Sequence, residues 1–137
     1  MSQDMPVVLH VDDDEDVREI ARIALEVVGG LKVIQCASGS QALEVAPGAK
    51  PDLFLLDVMM PEMSGLETLQ HLRELPGFEQ TPALFMTAKV QPRDVEELLE
   101  TGAAAVIRKP FDPMTVSDEI VRIWQHEPAR PAMAASA

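Results

Sequence analysis

The chain has 137 residues, 47% of them apolar, which suits one compact core and leaves no room for a second domain of ordinary size. With 23 acidic against 11 basic side chains, a net charge of −12 and a pI near 4.5, it should repel nucleic acid and anionic membranes. No apolar run approaches the roughly 20 residues of a membrane span, an acid precedes the first strand where a signal peptide would be basic, and lone Cys36 excludes an intrachain disulfide and fits a reducing cytoplasm.

Pro6 to Val11 reads as a first strand, followed by the acidic run Asp12, Asp13, Asp14, Glu15 and Asp16. Val17, Ile20, Ala21, Ala24, Leu25 and Val28 then recur at helical spacing and predict one buried stripe, stopped by Gly29 and Gly30. Lys32 to Cys36 is the second strand, and Ser38 to Ala46 a second helix that Pro47 and Gly48 terminate. Asp52 to Asp57, Pro82 to Thr87 and Ala104 to Arg108 are three more short apolar strands, as in a sheet covered on both faces. Ser64 to Glu74, Pro92 to Thr101 and Asp112 to Gln125 are the helices after them, and Ser38, Ser64 and Asp112 are the expected N-caps. Five βα units in succession predict an α/β fold: a doubly wound, five-stranded parallel sheet in a (βα)5, flavodoxin-like three-layer sandwich. Residues 1–126 form the expected domain, and residues 127–137, EPARPAMAASA, a disordered Pro/Ala-rich tail.

Strand ends carry the chemistry. In an open parallel sheet, side chains leaving the carboxyl ends of neighbouring strands share one crevice. Asp12 and Asp13, Asp57, and Lys109 each follow an apolar strand. Three carboxylates there would repel, since two unit charges 4 Å apart interact by ~4 kcal/mol at an effective dielectric near 20. A divalent cation resolves that conflict, and all-oxygen ligation favours Mg²⁺, with Mn²⁺ a close substitute. Lys109 supplies a point charge for a phosphoryl oxygen, and a cis bond to Pro110 is plausible there. Asp14, Glu15 and Asp16 are read as complements to a helix N-terminus. An EF-hand loop fails, because Val17 and Ile23 stand where its glycine and glutamate belong. Cys36 is a small buried filler, His10 a packed or hydrogen-bonded strand residue, and His71 and His126 solvated helix positions.

Asp12-Asp13, Asp57 within LLDVMMPEMSGLE, Thr87-Ala88 and Lys109-Pro110-Phe111, taken in order over residues 5–126, closely resemble the receiver domains of two-component response regulators, especially the small stand-alone type. The resemblance implies that Asp57 is the phosphoacceptor and that Asp13 and Asp57 bind Mg²⁺ directly, Asp12 through water, and Met59 through its backbone carbonyl. It implies that Thr87 and Lys109 contact the phosphoryl group. It also implies a sensor histidine kinase or histidine phosphotransfer protein as partner, a downstream protein target or a phosphorelay, and a cytoplasmic protein that is monomeric or weakly dimeric when phosphorylated. Such a domain is a phosphoacceptor that assists its own phosphorylation and dephosphorylation, not an enzyme in the ordinary sense. One departure is Val106, where the family usually has Tyr or Phe on the fifth strand.

Two other readings compete. A phosphohydrolase of haloacid dehalogenase type would use Asp12 as nucleophile and Asp14 as acid/base, but it requires acidic metal ligands after the lysine, where only Asp112 follows closely. A binding module that has lost phosphorylation is disfavoured because every chemical position is present.

Overall fold

The computed structural model describes residues 5–126; the expected tail at 127–137 lies outside them. Five strands, β1 (Val7–Val11), β2 (Lys32–Cys36), β3 (Leu53–Asp57), β4 (Ala83–Thr87) and β5 (Ala105–Arg108), form one parallel sheet in the order β2-β1-β3-β4-β5. The helices are α1 (Glu15–Arg22), α2 (Gly39–Ala49), α3 (Gly65–Glu74), α4 (Pro92–Leu99) and α5 (Val116–Gln125). The doubly wound sandwich is as expected, with each strand within one residue of its sequence-based limits. The order reverses between β1 and β3, and a crevice opens at the carboxyl ends on either side of such a switch point.

Alternation along the strands divides the core in two. Leu9, Val11, Phe54, Leu56 and Phe85 pack with Ala42, Leu69, Leu72 and Leu98 of α2, α3 and α4. Val8, Leu53, Leu55, Leu84 and Ile107 pack on the other face with Ala24, Leu25, Val116 and Ile120. Since successive strand side chains point to opposite faces, Asp57 continues the parity of Leu53 and Leu55. His10 and Asp12 continue that of Val8, and Lys109 that of Ile107. Three site residues therefore leave the sheet on the α1/α5 side.

Three local expectations change. α1 ends at Arg22 and continues as a π-helical turn, Ile23–Val28, whose wider i→i+5 winding breaks the single stripe. Ala21, Ala24 and Leu25 are buried, but Ile20 and Val28 are 48% and 42% exposed. Pro47 lies inside the last turn of α2 instead of ending it, and Lys50 closes that helix in the left-handed region at φ 52°. Asp112 does not cap α5: its Oδ1 accepts from Met114 N, its carbonyl accepts from Thr115 and Val116, and Thr115 is the N-cap residue after that extra turn. Ser38 and Ser64 cap as expected, Ser64 in a reciprocal capping box with Glu67.

Candidate phosphoacceptor and metal site

The acidic run divides as its position on the strand dictates. Asp14 is the N-cap of α1, its Oδ1 accepting from Asp16 N and Val17 N. Glu15 and Asp16 lie in the first turn, where negative charge complements the helix dipole. Asp12 is completely buried at the end of β1, and Asp13 is exposed at the mouth of the crevice. Asp12 N donates to Cys36 O at 3.1 Å and Asp12 Oδ1 accepts from Asp14 N at 2.9 Å, so both residue and side chain are fixed by backbone.

Across the switch point, Asp57 closes β3 and is 4% exposed. Lys109 reaches both acids: its Nζ donates to Asp57 Oδ1 at 2.9 Å and lies 3.2 Å from Asp12 Oδ2. The second contact is an ion pair without hydrogen-bond alignment, since Asp12 Oδ2 has no hydrogen-bond partner among the described residues. The Lys109-Pro110 peptide is cis, as the sequence made plausible.

Burial raises the Asp57 carboxyl above its ordinary value, the Lys109 hydrogen bond opposes the rise, and the charges of Asp12 and Asp13 add to it. Burial also works against the Lys109 ammonium, but Asp57 and Asp12 outweigh it and hold the amine above its ordinary value. One ammonium thus faces three carboxylates. Asp12, Asp13 and Asp57 each present an oxygen, all within 4.8 Å of one another. A hard divalent cation fits this set: the donors are all oxygen, one buried oxygen lacks a hydrogen-bond partner, and the acids outnumber the amine. Met59 stands two residues past Asp57 in the loop before α3, its side chain 67% exposed.

Thr87 ends β4, 5% exposed, and its Oγ1 accepts from Lys89 N at 3.0 Å. Its carbonyl accepts from Lys109 N at 2.9 Å, tying β4 to the lysine. Every predicted site residue therefore stands at the carboxyl edge of the sheet or in the loop leading from it. Gly65, which shapes the loop after Asp57, is needed for close approach: a Cβ there would fall inside contact distance of the Asp57 carbonyl, and Gly65 N donates to Val58 O. Two supporting residues were not foreseen from the sequence. Arg18 Nη1 donates to the Asp12 carbonyl at 2.7 Å. Gln35 Nε2 contacts both Arg18 O and His10 Nδ1. No spacing rule points to Arg18 or Gln35, whereas a histidine in an apolar strand was a visible signal.

His10 is buried and hydrogen-bonded, as expected. Burial first, then Lys109 and Arg18, lower its pKa to about 3, so the ring is neutral. Burial pushes the Cys36 thiol up to about 11 and leaves it unreactive. His71 is exposed beside Glu74, and His126 lies just past α5 with Nδ1 2.8 Å from Arg122 O. The dehalogenase-type reading loses its acid/base, because the Asp14 carboxylate is engaged as the N-cap of α1.

Comparison with known proteins agrees with this geometry. The family model "Response regulator receiver domain" matches residues 8–121. A 14.6 kDa protein of Leptolyngbya boryana is 36% identical over 118 residues, 86% of each chain. The response regulator Rre1 of Synechocystis is 37% identical over 122 residues, 89% of this chain but 51% of its own; the match to PhoP of Bacillus subtilis likewise spans 47% of that relative. Among solved structures, the chemotaxis protein CheY4 of Vibrio cholerae superposes with a TM-score of 0.80 at 33% identity, over 87% of this chain and 98% of that one. The receiver domain of a Syntrophus aciditrophicus histidine kinase gives 0.75 at 29% identity, over 88% and 90%.

Proposed function

The chain belongs to the response regulator receiver family, and from that membership we propose that Asp57 accepts a phosphoryl group from a histidine kinase or histidine phosphotransfer protein in the cytoplasm. Asp12, Asp13, Asp57 and the Met59 carbonyl would hold Mg²⁺, or Mn²⁺ in its place. When bound, the cation offsets negative charge on the carboxylates and on the transferring phosphoryl oxygens.

The supporting observation is the Lys109 contact. It holds Asp57 Oδ1 and leaves Oδ2, free of that contact, to attack an incoming phosphorus. Oδ2 forms the new O–P bond, the donor's N–P bond breaks, and the electron pair leaves with the imidazole, which takes up a proton. Lys109 then sits beside the added charge and pairs with it as a point cation. Thr87 Oγ1 accepts from Lys89 and still has its own hydrogen to donate, so it can bind a phosphoryl oxygen without losing that contact. Water is limited by the burial of Asp12, Asp57 and Thr87.

The donor has a surface beside the site. Val17 and Ile20 of α1, Ala88, and the segment Pro110, Phe111 and Pro113 line an apolar groove with Lys109 at its edge. The phosphorylated domain passes its signal by protein contact or hands the phosphoryl group onward, as a monomer or weak dimer. The test is incubation with a small acyl phosphate and Mg²⁺, followed by intact mass and peptide mapping. A gain of one phosphoryl group on Asp57 is expected; turnover through Asp12, or no gain, would refute the proposal.

A further inference from the structure

His10 and Gln35 are an anomaly in an otherwise apolar sheet. They stand directly opposite each other on β1 and β2, and His10 is completely buried. A polar pair in that position needs hydrogen-bond partners to be tolerated. Gln35 Nε2 donates to the Arg18 carbonyl at 2.7 Å and lies 3.1 Å from His10 Nδ1. An amide nitrogen carries two hydrogens and no acceptor, so His10 Nδ1 accepts the second and the ring proton sits on Nε2, which has no hydrogen-bond partner among the described residues and leaves Gln35 as the ring's one polar tie. The pair thereby fastens the backbone of α1 at Arg18 to the edge of the sheet. The Arg18 side chain continues the chain of contacts, its Nη1 donating to the Asp12 carbonyl at 2.7 Å.

That carbonyl belongs to the peptide joining Asp12 to Asp13. Its orientation sets the direction in which Asp13 leaves the strand, and among the described residues the Asp13 side chain makes no hydrogen bond or ion pair that would otherwise fix it. We infer that His10, Gln35 and Arg18 are positioning residues that fix the Asp12–Asp13 peptide and so set the divalent-cation affinity of the site. The inference rests on the reading of Asp12, Asp13 and Asp57 as a cation site. It is the same logic by which partners outside the ligand set orient metal ligands and change affinity by about tenfold or more when lost.

Arg18 provides a test in which the sign decides. Its guanidinium is a positive charge close to a cation site, so by electrostatics alone Arg18→Met should tighten Mg²⁺ binding. By positioning, it should weaken it. Arg18 is half-buried on a helix surface, where methionine is a good helix former. Arg22→Met removes the same charge one turn further along, from an arginine whose ion partner is Glu26, and serves as the charge control. Mg²⁺ affinity is measured by titration of backbone amide resonances, with metal-free melting temperature as a separate readout of folding.

About a tenfold loss of Mg²⁺ affinity is expected for Arg18→Met and Gln35→Met, with Arg22→Met at or slightly tighter than wild type. Affinity in Arg18→Met equal to or tighter than wild type overturns the inference, whatever happens to melting. If Gln35→Met does not fold, Arg18→Met decides alone. Failure of the wild type itself to bind Mg²⁺ removes the cation-site reading and the inference with it. Wild-type binding with unaltered variants removes only the inference.

Discussion

Lys109 and Asp57 are 52 residues apart in sequence and 2.9 Å apart in space, Nζ to Oδ1. The amine is the only cation paired with Asp57 among the described residues, and it is shared with Asp12. Asp57→Asn should therefore abolish phosphoryl uptake, because an amide is a poor nucleophile. It should also raise the melting temperature in metal-free buffer, since burial and two neighbouring acids disfavour the Asp57 charge. Labelling of the variant at the wild-type rate would remove Asp57 from its role.

Divalent cations should reverse that destabilisation. At a Mg²⁺ concentration ten times its dissociation constant, mass action adds about 1.4 kcal/mol to the folded state. Thermal melts with and without MgCl₂ or MnCl₂ should show this gain in the wild type and its loss in Asp13→Ala. Equal metal-dependent shifts in the two proteins would place the cation elsewhere.

Gly65 makes a prediction of steric origin. A Cβ added there would collide with the Asp57 carbonyl, so it must displace backbone, not a flexible side-chain end. Gly65→Ala should cost about 1–3 kcal/mol as overpacking and slow phosphorylation by moving Asp57. Denaturant titration together with the acyl-phosphate labelling rate would check both. An alanine variant as stable and as fast as wild type would mean that the β3–α3 loop yields freely.

What the sequence disclosed follows from where its signals were local. Strand ends, apolar runs and capping serines are properties of a few adjacent residues, so Asp12, Asp57 and Lys109 could be placed on one edge from the sequence alone, with Thr87 added by the family resemblance. The π-turn at Ile23–Val28 leaves no such trace, because the same apolar residues suit either winding and the packing against α5 and β2 is tertiary. The approach of α5 is close: a Cβ on Gly29 would collide with the Ser117 side chain. Gln35 and Arg18 were equally silent, since each reaches a backbone carbonyl of the kind any residue possesses. Asp112 gave a false signal for α5, as an aspartate caps an isolated turn as readily as a helix.

Acid should unfold the protein partly through His10. Its folded pKa of about 3 lies below its ordinary 6.5, so the unfolded chain binds more protons between those values. The neutral ring's contribution is fully present above pH 6.5 and is lost as pH falls toward 3, with a limiting slope of about 1.4 kcal/mol per pH unit. His10→Gln, which cannot titrate, should show a shallower decline in urea-unfolding free energy over that interval. Parallel declines would mean that the ring remains neutral in the acid-unfolded chain or is solvated in the native one.

The last prediction concerns how phosphorylation leaves the site. Thr87 Oγ1 is bonded to Lys89 N, so drawing the hydroxyl toward phospho-Asp57 draws the backbone after Thr87 with it. Pro92 opens α4 three residues after Lys89 and passes the displacement to that helix. The space exists, because a cleft bounded by Val58, Met59, Leu66, Thr87, Lys89 and Leu98 separates the β3–α3 loop from α4. On β5, Val106 pairs with Phe85 and is only partly buried. It has neither a ring to bury nor a hydroxyl to hydrogen-bond, so its side chain adds little to the coupling between that strand and the Thr87 hydroxyl. Amide hydrogen exchange with and without beryllofluoride should therefore change across residues 88–101 and little across 104–108 or 116–125. A response concentrated in β5 and α5, with the 88–101 segment silent, would show that the signal takes the opposite route.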